Sequence, residues 1–161
     1  MKRLLLLAAL IGAATLLVPS QAAAIIQLER GISGVRLGDT KREVRQDLGK
    51  PRRIVNRTGE LGPFTEFRYR GRITVTFFGG NEVTAVATAG PGDRTARGVG
   101  VGSTRRQVRN RVPDVRCRNV PGPGPAFAFC DRGQRRAGGR VTAFHIRNGR
   151  VFRVTVGIVI D

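Results

Sequence analysis

The sequence predicts an α+β fold made of two tandem repeats, each a short capped helix followed by three or four antiparallel strands. Three observations predict it. A phrase is written twice, "GVRLGDTKREVRQDLGKP" at 34–51 and "GVGVGSTRRQVRNRVPDV" at 98–115, at an offset of 64 residues. After each copy come runs rich in Val, Thr, Ile and Phe, bounded by Gly, Pro and Asn, the pattern of antiparallel strands joined by turns. The closing runs also correspond, at an offset of 68: Ile73 with Val141, Val83 with Val151, Val86 with Val154.

The first segment, 1–24, reads as a signal peptide. Lys2 and Arg3 precede a 15-residue apolar run, Leu4 to Val18; Pro19 and Ser20 interrupt it, and Ala22-Ala23-Ala24 offers small residues for cleavage. The run is shorter than the ~20 residues of a membrane-spanning helix. The segment has no cysteine, so a lipoprotein is not expected. The remaining 137 residues are one ordinary domain's worth of chain. They divide into a first unit at 25–92 and a second at 93–161.

Each helix starts at a capping box. In Thr40-x-x-Glu43 and Thr104-x-x-Gln107 the threonine oxygen accepts from an early N–H, and the Glu or Gln reaches back to the threonine's own N–H. Val44 and Leu48 lie four apart on one face, as do Val108 and Val112. Gly49 with Pro51 stops the first helix, and Pro113 stops the second. Ser33 and Ser103, in the Gly-rich approaches, are read as capping residues. In the first unit the strands expected are "RRIVNRT", "FTEFRYR", "RITVTFF" and "EVTAVATA". In the second they are "DVRCR", "AFAFC", "RVTAFHI" and "RVFRVTV", the last two flanking Asn148-Gly149, a strong hairpin signal.

Cys117 and Cys130 are the only cysteines. In an exported chain they are expected to pair and to staple the first hairpin of the second unit across the "PGPGP" loop. With His145 the only histidine, a zinc site lacks ligands, and no cofactor or metal is expected. No catalytic set is legible either. Asp39 and Glu43 stand where a helix start favours negative charge. Gly98-x-Gly100-x-Gly102 has no lysine for a phosphate loop. The protein is therefore read as a non-enzyme without a small-molecule substrate.

The chain has 29 basic and 11 acidic residues; without Lys2 and Arg3 the net charge is +16. Such an excess favours acidic partners, although the arginines are scattered and their number also suits a composition-driven solvated surface. The candidate basic contact face is Arg68, Arg70, Arg72, Arg147, Arg150 and Arg153, all on or beside expected strands.

Gly38-x-Thr40-x-x-x-Val44-x-x-x-Leu48-Gly49-x-Pro51 resembles the opening of the BamE/SmpA outer-membrane assembly lipoproteins, and Gly34, Thr104 and Val108 add to the match. Two such units, exported and disulfide-stapled, are similar in architecture to the secreted beta-lactamase inhibitor proteins. The resemblance implies helices laid on a small antiparallel sheet, and action by binding other proteins. The chain departs from the first group in having no lipidation cysteine. It departs from the second in having one cysteine pair, no tryptophan and only Tyr69 as tyrosine, where enzyme-clamping surfaces rely on aromatic anchors. The function expected is an exported, non-enzymatic protein-binding module of the cell envelope or extracellular space, working through its outer sheet face or the loops at 59–63 and 120–125. The partner expected is another exported or envelope protein. The alternative is an electrostatic binder of acidic polymers or anionic lipid, and a secreted enzyme inhibitor ranks third.

Overall fold

A computed structural model describes residues 25–121 and 127–160. The expected signal peptide and most of the loop at 120–125 lie outside the described residues. Eight strands form one antiparallel sheet: β4 (Arg53–Gly59), β5 (Gly62–Arg68), β6 (Ile73–Phe78), β7 (Ala85–Thr88), β9 (Arg116–Val120), β10 (Phe127–Gly133), β11 (Arg140–Arg147) and β12 (Arg150–Ile158). Their order across the sheet is β4-β5-β6-β7-β12-β11-β10-β9. A second sheet, β3-β2-β1-β8, is assembled from β1 (Ile25–Gln27), β2 (Gly31–Ile32), β3 (Val35–Arg36) and β8 (Arg94–Thr95).

The expected fold class is corrected by this arrangement. The chain is mostly β, with sheets of four and eight strands, and is not two tandem helix-plus-strand repeats. Among the described residues the α-helices are α1 (Lys41–Leu48) and α2 (Arg105–Arg111). Each buries one side chain within its own span, Val44 or Val108, too little apolar surface to organise a unit. The strands do the organising. β7 pairs with β12 in the middle of the large sheet, and β1 pairs in parallel with β8, so the two halves share both ladders.

The written-twice phrase has a local cause. Gly38 N–H donates to Val83 O (2.9 Å) and Val83 N–H to Asp39 O (2.8 Å); Gly102 N–H donates to Val151 O (2.7 Å) and Val151 N–H to Ser103 O (2.9 Å). Both stretches hook onto the start of a later strand run through the same pair of bonds. Gly38 and Gly102 adopt φ of 94° and 89° there, a region an L side chain rarely enters. Thr40 and Thr104 are the N-caps, each in a complete capping box. The serines are not: Ser103 Oγ accepts instead from Gly100 N–H at 3.1 Å.

The large sheet has two unlike faces, because successive side chains point opposite ways. In β6, Ile73, Val75 and Phe77 are buried while Thr74, Thr76 and Phe78 are only half-buried. Phe67, Val86, Phe144, Val154 and Val156 continue the buried set across the sheet. The helices and the small sheet cover this face. Arg45 lies 4.6 Å over the Phe67 ring and Lys41 5.3 Å over Phe77, and Glu29 N–H donates to Thr142 Oγ1 at 2.7 Å. Cys117 and Cys130 are directly opposed between β9 and β10 and form a disulfide on the same face.

Candidate functional site

The opposite face of the large sheet is covered by none of these elements. Register follows one row across all eight strands: Arg53, Arg68, Thr74, Ala87, Thr155, Ala143, Asp131 and Arg116 are successive cross-strand partners. The middle of this row is small, and its flanks are charged. The neighbouring row runs Arg153, His145, Phe129, Arg118.

Aromatic side chains gather on the β10-β11-β12 side. Phe129 and His145 ring centroids are 4.9 Å apart, Phe127 and Phe129 4.7 Å, Phe127 and Phe152 5.9 Å, and His145 and Phe152 6.0 Å. A bulge places Phe152 here. The β11–β12 register jumps from His145↔Arg153 to Ile146↔Val151, so Phe152 has no partner and joins Arg153 on the open side. Two guanidinium groups stack on the cluster, Arg147 at 4.8 Å over Phe152 and Arg118 at 5.8 Å over Phe129. Stacking fixes the guanidinium plane and leaves its edge to donate; the Arg118 edge already meets Asp131 at 3.4 Å, whereas Arg147 has no acidic partner among the described residues.

His145 sits within this cluster. Its Nε2 lies 3.1 Å from Thr155 Oγ1. Burial, with a smaller contribution from the Arg153 charge, lowers its pKa to about 4, so it is a neutral imidazole at pH 7. Its contacts include phenylalanine rings, the Thr155 hydroxyl and the Arg153 charge. Among the described residues no three His, Cys, Asp or Glu side chains come together as metal ligands.

The six arginines of the expected basic face divide. Arg68, Arg72 and Arg153 come together around one cavity of about 450 Å³, with Glu66, Tyr69 and Thr74. Arg147 is the guanidinium stacked on Phe152. Arg150 is exposed and spends a donor on the fold, its Nη1 donating to Gly102 O at 3.1 Å. Arg70 is exposed in the 3-10 turn at Arg70–Arg72. The acids on the open face already have partners: Glu66 Oε2 accepts from Arg68 Nη2 (2.6 Å) and Nε (3.1 Å), and Asp131 pairs with Arg118 and Arg135. The aromatic cluster was missed by reading composition, where the absence of tryptophan dominated. The signal was present in the alternation Phe127-x-Phe129 against Ala128 and Cys130, which sends both rings to one face.

No family model matches the chain, and no curated protein matches it. Two solved structures share its fold. A DUF4309 family protein (YjgB) of Bacillus subtilis is 16% identical, with a TM-score of 0.51 over 79% of this chain and 84% of that one. An extracellular protein containing an SCP domain, from Bacillus anthracis, is 10% identical, with a TM-score of 0.50 over 76% of this chain; the match spans 44% of that longer protein.

Proposed function

We propose that this protein is an exported, non-enzymatic binding module that holds an acidic protein partner on the open face of its eight-stranded sheet. One observation carries the reading: the face joins a phenylalanine–histidine cluster to stacked arginines, while its own acids are occupied by arginine. Aromatic rings supply desolvated anchors, and a stacked guanidinium without an acidic partner among the described residues, that of Arg147, matches a carboxylate. The Cys117–Cys130 disulfide belongs to oxidising compartments and agrees with export and with the leader expected at 1–24.

A pull-down with residues 25–161 from an envelope and secretome extract, washed at low and at high salt, tests this. The expected result is a discrete acidic protein that survives the high-salt wash and is lost when Phe129 and Phe152 are both changed to alanine. Exposed charge contacts are screened by salt, whereas aromatic burial is not. Diffuse acidic material that leaves as salt rises, indifferent to the two phenylalanines, would replace this reading with the electrostatic polymer binder.

A further inference from the structure

The cavity beside the aromatic cluster has more organisation than a scattered basic surface requires. Three arginines reach it from three places in the chain: Arg68 at the end of β5, Arg72 in the turn before β6, and Arg153 on β12. The backbone between them is pinned by Ala89 N–H donating to Arg72 O at 3.1 Å. Glu66 answers Arg68, with two N–H donors converging on one carboxylate oxygen. Among the described residues Arg72 and Arg153 have no acidic partner.

Arg72 is the informative residue. Its φ is 64°, next to Gly71 at 72°. A long L side chain is disfavoured in that region, where glycine sits without penalty. The turn would form more easily with glycine at 72, yet an arginine stands there and lines the cavity. Arg72 is itself exposed, so its guanidinium is open to a ligand, and strain retained at such a position agrees with a ligand role.

We propose that the Arg68–Arg72–Arg153 cavity is a carboxylate site that takes acidic side chains of an extended Asp/Glu-rich segment of the partner. This deepens the binding-module reading and rests on it. Planar guanidinium forks match carboxylates two N–H groups at a time, and the Arg68–Glu66 pair is an example of that contact within the site itself. At about 450 Å³ the space exceeds a lone ion's needs, since a cavity of roughly 10–15 Å³ by the same measure already holds one water. It suits acidic side chains with part of their backbone. Arg153 also neighbours His145, so a segment seated in the cavity runs directly onto the aromatic cluster.

Tyr69 lines the cavity and is the only tyrosine in a chain without tryptophan. Its emission is therefore a local reporter. Residues 25–161 are titrated at constant ionic strength with a tetra-aspartate peptide, with inorganic phosphate and with sodium chloride. The expected result is a saturable change with tetra-aspartate, at least tenfold weaker with phosphate, and no change with chloride. Arg72→Gly and Arg153→Gln should each weaken tetra-aspartate binding about tenfold, while Arg109→Gln on α2 leaves it unchanged. Arg72→Gly should melt at the same or a higher temperature than the parent, which separates a lost contact from a lost fold. No saturable change, equal weakening by Arg109→Gln, or phosphate binding as tightly as the peptide would each overturn the assignment. The outcome is separable from that of the wider reading: a partner still captured by the Arg72→Gly protein but lost from the Phe129/Phe152 double variant would retain the open face and remove the carboxylate site.

Discussion

Acidifying the solution from pH 7 to pH 5 should weaken the fold through one side chain, His145. Its ring lies among Phe127, Phe129 and Phe152, near the Arg153 charge, and its pKa is lowered to about 4 from an ordinary 6.5. Between these values the unfolded chain takes up a proton that the folded chain refuses. Stability from this residue is thus complete above pH 6.5, declines as pH falls toward 4, and is lost below that. At ~1.4 kcal/mol per pH unit the full gap corresponds to about 3 kcal/mol; water reaching the partly exposed ring reduces this to roughly 2 kcal/mol. Glu43 also has a lowered pKa, because Thr40 N–H and then the Thr40 hydroxyl donate to its carboxylate. Its contribution is present above 4.5 and is lost only below it, outside the window of interest. Urea unfolding followed by far-UV circular dichroism at pH 7.0, 6.0 and 5.0, at constant ionic strength, gives the slope. The parent should lose more than half of the His145 contribution by pH 5, and His145→Leu should be nearly flat. An equal slope in His145→Leu would refute the reasoning.

Two further predictions concern stability. Replacing Cys117 and Cys130 together by alanine opens a link across 13 residues, which the chain-entropy estimate values at about 3 kcal/mol; urea midpoints should fall accordingly, and the parent should accept two alkyl labels only after reduction. Val44→Ala and Val108→Ala each remove the one fully buried side chain of a helix. Each should cost about 2 kcal/mol in the same assay, and a loss under 0.5 kcal/mol would mean that the helix is held by its cap and hook bonds alone.

Individual elements were legible because their signals are local. The capping boxes at Thr40 and Thr104 depend on residues three apart, and each long strand begins within three residues of its expected run, since Val, Thr, Ile and Phe alternation marks it along the chain itself. The small sheet was illegible. Its strands are two or three residues long, too short to show a period, and β1 meets β8 from nearly seventy residues away. The same limit explains the fold-class error. The repeated phrase reports that two segments hook in the same way; it carries no information on whether β7 closes its own sheet or pairs with β12.

The candidate site divides along the same line. In the sequence Arg68, Arg72 and Arg153 differ in no way from Arg70 and Arg150, all on or beside strands, yet Arg70 and Arg150 do not line the cavity, and Arg150 donates to Gly102 O. A bulge, a turn at positive φ and the register of non-consecutive strands decide which arginines converge and that Phe152 joins Phe127 and Phe129.

By itself, then, the sequence determined where helices begin, where strands run, that the cysteines could pair and that positive charge would dominate the surface, because each of these is set by residues close in the chain or by simple composition. Only the tertiary structure decided that the strands share one sheet with a covered and an open face, and which side chains meet on the open one. Those outcomes depend on hydrogen-bonded register between strands far apart in sequence, where moving a strand by one residue sends every side chain to the other face.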